Sequence, residues 1–338
     1  MKVAIHHREG SFSNRWIAYC QENGIDYIKV NAYDSDIINQ VKDCDAFMWH
    51  FYHGDYRDMQ FAKALLFSLQ EKGLKVFPDI NTCWHFDNKI YQKYLLEAID
   101  APLVPSYVFY TKKDAMDWVK SASFPKVFKL KGGAGSVNVK LVKSPEKAIK
   151  LINESFSEGF SQYDIHEHYK EALRRYKQGT GTFRELCRPI FYRLKKYPNS
   201  FSHYHGREMG YVYFQDYIPN NTFDIRICVV GDKAFGIKRV TRNNDFRASG
   251  SGIIEYDKEG IDERCVELSF TIIRKLKMQS VGIDFIFNED SCPMIVEISY
   301  GYSYKAYTKC SGYWTSDMKW HPGTNFDFAG WMVEDLLR

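Results

Sequence analysis

The chain holds no run of 18 apolar residues, so nothing in it reads as a membrane span. The apolar start, Met1-Lys2-Val3-Ala4-Ile5, runs directly into charged residues. It is too short for the hydrophobic region of a signal peptide and reads as a first core strand. Cysteine is present but unpatterned: eight residues lie scattered over 338, with no C-x-x-C. That favours reduced thiols, and hence a cytoplasmic location, over a disulfide framework or a zinc site. Internal repeats and low-complexity segments are absent. A net charge of +4 is too small to argue for nucleic acid, and no nucleic-acid partner is expected. The two familiar phosphate-loop patterns are missing as well. No Gly-Lys-Ser/Thr follows a glycine run, and in Gly133-Ala-Gly135-Ser-Val-Asn138 an asparagine stands where a dinucleotide fold needs its third glycine.

What is present is an ordinary globular composition, 45% hydrophobic and 26% charged, long enough for two or three subdomains. The first hundred residues alternate strand and helix: strands at 3–5, 27–30, 46–50 and 75–77, helices at 14–23 and 61–72. That rhythm predicts a small parallel α/β domain. Two prolines in Ala101-Pro-Leu-Val-Pro105 mark a boundary. The expected division is 1–103, 104–212 with a basic helical insertion at about 160–205, and 213–338. Between Tyr169 and Ser200 there are nine Lys/Arg against two Glu, read as a surface helix with a solvated basic face. The third region alternates at period two over 212–214, 225–230, 234–239, 283–287 and 294–298, with a helix over 264–275.

Three constellations carry chemistry. VFKLKGGAGSVNVKLV, residues 127–142, reads as strand, glycine turn, strand. Glycines let backbone N–H groups approach phosphate oxygens, and Lys129 and Lys131 alternate faces, so that one of them can meet the anion. Asp284 and Glu297 sit inside apolar runs at corresponding positions of two strands joined by a turn. Buried carboxylates need a cation, and Mg²⁺ takes one or two of them together with phosphate oxygens. Asp224 and Arg226 share a strand face, and Lys238, Arg239, Arg242 and Arg247 add four cations in ten residues. The histidines of His166-Glu-His168 and His203-Tyr-His205 read as solvated loop residues.

Together these features resemble the ATP-grasp superfamily, nearest to glutathione-synthetase-like and ribosomal-protein-S6-glutamate-ligase-like members. The resemblance implies an α/β fold with three parts: an amino-terminal parallel domain, a small α+β lid and a carboxy-terminal antiparallel sheet. By that resemblance ATP is held by Lys89 of DNK (87–89), by Lys129, Gly133 and Ser136 of the glycine loop, and by Lys238. Asp216, Tyr217 and Ile218 of YFQDYI flank the adenine, and Mg²⁺ is held by Asp284, Glu297 and Ser299. Ser299 stands where the family usually has asparagine, which bears on how a second Mg²⁺ is held. GSFSNRW, MWH, DFRASGSG, EISYGY and CSGYW resemble a branch that accompanies bacterial surface-polysaccharide assembly.

The implied reaction is carboxylate–amine ligation through an acyl phosphate, with Arg226 and Arg247 as the cations for developing charge. The expected partners are a small-molecule or glycan-linked carboxylate and an amine, with peripheral contact to membrane-bound glycan machinery. Ser11, Ser13, Arg15, His50 and His53 sit where the acceptor would bind. Tyr300, Tyr302, Tyr304, Tyr313 and Trp314 are candidates to stack on sugar rings. Two alternatives stand beside this reading: an ATP-dependent phosphotransferase on the same nucleotide site, and a non-enzymatic module that binds an anionic polymer.

Overall fold

The structure, a computed structural model, describes residues 1–133, 138–161, 169, 172–173, 176, 182–187, 204–241, 246–248 and 252–338. Along the chain run β1 (Lys2–His6), α1 (Phe12–Glu22), β2 (Asp26–Val30), α2 (Ile37–Gln40), β3 (Ala46–Trp49), α3 (Tyr56–Glu71) and β4 (Lys75–Phe77). Strands β2-β1-β3-β4 form a wholly parallel sheet. Its strands are short and apolar, as expected of a sheet covered on both faces. Asp55 caps α3 through the Arg57 N–H, so the helix starts five residues before the apolar periodicity does. The short α4 (Ile80–Cys83) and then α5 (Lys89–Ala98) lead to residues 101–104.

The second sheet joins β5 (Ser106–Phe109), β6 (Lys126–Lys129), β7 (Val139–Val142) and β10 (Val212–Asp216) in the order β5-β10-β6-β7. Helices α6 (Lys112–Val119) and α7 (Pro145–Ser155) cover one face. Ala115, Val119, Ala148 and Ile152 pack there on Phe128, Val142, Val212 and Phe214. Period two therefore turns Val127, Lys129, Tyr213 and Gln215 to the opposite face. The glycine turn is the antiparallel connection between β6 and β7, with Lys129 paired to Val139. β10 belongs to this sheet through Asp216, beyond the expected boundary at 212. The short β8 (Phe160–Ser161) and β9 (Arg207–Glu208) pair with each other and flank the basic insertion, most of which lies outside the described residues.

The third sheet runs β15 (Pro293–Ser299), β14 (Ser280–Phe287), β11 (Phe223–Val230), β12 (Lys233–Val240), β16 (Gly312–Thr315) and β17 (Trp320–Pro322), with β13 (Ile254–Glu255) on β12. Ile225, Ile227, Val229, Ile283, Phe285 and Ile295 face α8 (Glu263–Leu276), whose Val266, Phe270 and Ile273 recur at helical spacing. The other face packs Cys228, Val230, Phe235 and Ile237 against Val3, Ile5, Trp16 and the terminal helix α9 (Phe328–Leu337). The first and third units thus share one core. Tyr300, Tyr302 and Trp314 are buried within the packing, and Tyr313 stacks on His321 at 5.0 Å. This corrects the expectation that they stack on sugars: they hold the molecule together. No helix among the described residues is long and apolar enough to cross a membrane. All eight cysteines are free thiols.

Candidate active site

A cavity opens between the second and third sheets. Its lining includes Lys89, Lys129, Gly133, Asp216, Tyr217, Ile218, Arg226, Arg247, Asp284, Glu297 and Ser299. These are the expected site residues with two exceptions. Ser136 lies outside the described residues, as does Arg242. Lys238 is a correction: it lines a separate cavity, where its ammonium meets Glu255 at 2.9 Å and lies over the Phe223 ring. Arg239, its neighbour on the opposite face of β12, points toward the site instead.

Strand register builds the polar floor. Arg226 stands opposite Asp284, Asp284 opposite Glu297, and Asp224 opposite Arg239, all on the face turned away from α8. Arg226 donates to both oxygens of Asp284, with Nη2 at 2.5 Å from Oδ2. Arg239 forks onto Asp224 at 2.6 and 2.7 Å and reaches Asp284 Oδ2 at 3.0 Å. Burial alone would push the Asp284 carboxyl up, but Arg226 and Arg239 outweigh it and hold it well below the usual range. Glu297 contacts the Lys89 ammonium at 3.4 Å and is the more open of the two carboxylates. The Ser299 hydroxyl is taken up locally: it donates to the Gly301 carbonyl and accepts from the Gly301 N–H.

The roof comes from the second sheet. Lys129 is buried, its ammonium donates to Gln215 Oε1 at 2.5 Å, and burial lowers its pKa to about 8. Lys131 lies past the end of β6, with its ammonium 3.3 Å from Glu208. The segment 87–89 grips the start of the glycine loop at three points. Gly133 N–H donates to Asp87 Oδ1 at 3.0 Å, the Lys89 N–H to the Lys131 carbonyl at 2.8 Å, and the Lys89 ammonium to the Gly133 carbonyl at 2.9 Å. Asp87 was not singled out in the sequence. A carboxylate one residue before a cap carries no periodic signal. The cavity walls are Val127, Val139, Ile286, Val296, Phe223 and Phe246, an apolar slot of the kind that takes a planar base.

Residues 206–313 match the RimK-like ATP-grasp domain. The crystal structure of a RimK domain ATP-grasp protein from Sphaerobacter thermophilus has a TM-score of 0.59 at 14% identity, with 100% of both chains covered. The fold is ATP-grasp. The D-alanine–D-alanine ligase of Bacillus anthracis, in its complex with ATP, is a structural neighbour at TM-score 0.53 and 14% identity, covering 90% of this chain and 87% of that one. Alpha-aminoadipate–LysW ligase LysX of Saccharolobus solfataricus is 22% identical over 246 residues, 72% of each chain.

The residues present fit a nucleotide and its metal. The Lys89 and Lys129 ammonium groups and Gly133 line the cavity together with two carboxylates and the Ser299 hydroxyl. No group of three or more His, Cys, Asp or Glu able to hold a metal occurs among the described residues. Two carboxylates suit a Mg²⁺ whose remaining ligands are phosphate oxygens and water. Lys89 and Lys129 would face the phosphates, Glu297 and Asp284 the metal.

The expected acceptor residues are dispersed. Arg15 is corrected: its guanidinium pairs with Glu22 and Asp327 and joins α1 to α9. Ser11 and Ser13 bond each other at 2.7 Å in the α1 cap. His50 stacks on Phe12 at 3.9 Å and accepts its N–H. His53 does not line the cavity either: it lies 6.3 Å from the Phe86 ring, and burial lowers its pKa to about 4. His166, His168 and His203 lie outside the described residues.

Proposed function

We propose that this protein is an ATP-dependent carboxylate–amine ligase, using ATP and Mg²⁺ and giving an amide, ADP and phosphate. The observation that carries the reading is one cavity holding both lysines, Gly133 and the Asp284–Glu297 pair. A carboxylate oxygen of the acid attacks the γ-phosphorus, and the bond to the ADP oxygen breaks. The amine then attacks the acyl carbon, phosphate leaves, and the amine proton is lost. Mg²⁺, when bound, neutralises charge on the phosphates. Lys129, buried and without a carboxylate partner among the described residues, is placed to meet an anion, and the Lys89 ammonium holds the Gly133 carbonyl at 2.9 Å. Arg247 lines the same cavity and is the cation for the oxyanion. Arg226 is forked onto Asp284, so its first role is to orient that carboxylate. The apolar walls exclude water, which would hydrolyse an acyl phosphate.

The proposed acid is a uronic acid, free or glycan-linked, in bacterial polysaccharide biosynthesis. The motifs GSFSNRW, DFRASGSG, EISYGY and CSGYW carry that finer reading. The named ligases among the relatives support the reaction class. The three-part division of the chain and a cytoplasmic location complete the proposal. A screen of uronic acids against amino acids and ammonia, with Mg²⁺ and ADP release as readout, tests it. Amine-dependent ADP release with an amide product is expected. ADP release without an amine, leaving a stable phosphorylated acid, would replace the ligase by a phosphotransferase.

A further inference from the structure

A second cavity, of about 390 Å³, borders the nucleotide site. Asp87, Asn88, Lys131 and Gly132 line it, while their chain neighbours Lys89 and Gly133 line the nucleotide cavity. The junction of 87–89 with 131–133 is thus a wall common to both. Helix α3 supplies another wall. Its Asp58, Ala62, Leu66 and Leu69 are buried, and Tyr56, Met59, Gln60 and Lys63, spaced i, i+3, i+4 and i+7, form a second face on the cavity. Tyr91 of α5, with Tyr204 and His205 just before β9, completes the enclosure. The volume lies within the roughly 300–1,000 Å³ of small-ligand sites.

The lining joins open aromatic rings to cations. Tyr56 stacks on Tyr204 at 4.2 Å and Trp84 on Tyr91 at 5.6 Å, yet Tyr91 and Tyr204 remain 45% and 61% exposed. Unlike the packed Tyr300 and Tyr302, they offer a flat apolar face and a hydroxyl beside a cavity, which suits the C–H face and the hydroxyls of a sugar ring. Lys63 is the cation least answered by the protein. Its ammonium donates to the Trp84 carbonyl at 2.9 Å and the Phe86 carbonyl at 3.3 Å, which leaves one of three donors. It makes no ion pair among the described residues, and a half-buried cation without a counter-charge favours an anion. Lys131 adds a second positive charge, 3.3 Å from the buried Glu208. Asp87, the carboxylate of the lining, accepts from the Gly133 N–H.

We propose that this cavity is a saccharide subsite that binds an acidic sugar unit, the Lys63 ammonium meeting its carboxylate and the Tyr91 and Tyr204 rings packing on the sugar. This rests on the ligase reading above and narrows it. The acid substrate is then an acidic oligosaccharide rather than a free uronic acid, and the unit held here is not the reacting one.

The test uses the full chain with Mg²⁺ and a non-hydrolysable ATP analogue, titrated with trigalacturonate, galacturonate and neutral maltotriose. Trigalacturonate should bind roughly tenfold more tightly than either of the others, as one charge-assisted contact implies. Lys63→Gln should abolish the preference for the acidic trisaccharide over maltotriose, and Lys63→Arg should restore part of it. Because Lys63 also holds two backbone carbonyls, Tyr204→Ala, at an exposed position, is the second variant. It should weaken trigalacturonate by roughly fivefold. The affinity for MgADP should stay near wild type in every variant, which separates a binding role from a merely structural one. Trigalacturonate bound no more tightly than maltotriose, or bound equally well by wild type, Lys63→Gln and Tyr204→Ala, overturns the proposal. The two readings fail separately. Trigalacturonate binding that depends on Lys63, without amine-dependent ADP release on any acid, removes the ligase and keeps the subsite. Amine-dependent ADP release with binding indifferent to both variants removes the subsite and keeps the ligase.

Discussion

Lys129 shows what burial does to one charge and how that charge becomes measurable. Its ammonium is enclosed, so desolvation brings its pKa to about 8 from 10.5. In the unliganded protein the unfolded chain holds this proton more tightly, so folding gains as pH rises from about 8 toward 10.5. Nucleotide binding runs the other way. Phosphate favours the charged form, so the affinity for MgADP should weaken as pH passes about 8, by up to about tenfold per unit. Calorimetric titrations between pH 7 and 9.5 check this, and Lys129→Gln should bind more weakly with a flat profile. A wild-type profile that is itself flat would remove Lys129 from the phosphate contacts. Glu297 makes a second residue-level case. It faces the cavity and its visible partner is Lys89 at 3.4 Å. Glu297→Gln keeps the shape and removes the negative charge, so turnover should fall below detection while the melting temperature stays within a few degrees. Wild-type rates in this variant would exclude Glu297 from the metal site.

Elements decide which residues meet, and here the sequence is legible only in part. Alternation in FDIRICVV puts Asp224 and Arg226 on one face, and Asp284 and Glu297 stand at corresponding positions of β14 and β15 as expected, whereas the pairing of Arg226 with Asp284 comes from the register alone. The glycine hairpin was equally readable, because glycines between two valine-bearing runs leave few other conformations. Alternation does not say what covers a face, however. Lys238 and Arg239 alternate correctly, yet only the three-dimensional arrangement shows that Arg239 turns to the carboxylates and Lys238 to Glu255. The carboxy-terminal tyrosines looked like a binding surface because aromatic clusters of cores and of sugar sites have the same composition. The 87–89 grip on the glycine loop was invisible for a different reason: it joins segments over forty residues apart. Asp87 is half-buried, and the loss of water around its carboxyl pushes its pKa up to about 6. Asp87→Ala leaves the Gly133 N–H without its acceptor, at a local cost of about 1–3 kcal/mol. Faster amide exchange over residues 130–133 and a several-fold rise in the KM for ATP are expected, with Asp87→Asn close to wild type because its side-chain oxygen still accepts. Unaltered exchange in Asp87→Ala would show that the loop is held by Lys89 alone.

At the scale of the molecule, the cavity is a seam between two bodies joined unequally to a third. The amino-terminal sheet and the third sheet share a core through Val3, Ile5, Trp16, Cys228 and Phe235, and the linker adds backbone bonds at Ile295, with Pro102 at 2.8 Å and Val104 at 2.9 Å. The second sheet packs its own core of Phe128, Phe214, Ala148 and Ile152, separate from that one. Across the seam, Lys89 and Asp87 make polar contacts with Lys131 and Gly133 at the start of the glycine loop. A nucleotide held by Lys129 above and by the metal carboxylates below would therefore clasp the two bodies together. Ligand that binds only the folded chain stabilises it by RT ln(1 + [L]/Kd), about 2.7 kcal/mol at a hundredfold excess over Kd. For a chain of this size that is a rise of several degrees in melting temperature. MgADP should produce that rise, and removing Mg²⁺ with a chelator should cut it, because the Asp284 and Glu297 carboxylates then face the phosphates with no metal between them. Lys129→Gln should shrink the rise in both conditions. Equal shifts with and without Mg²⁺ would mean that the nucleotide is held by the second sheet alone, and the acidic pair on β14 and β15 would lose its assigned part.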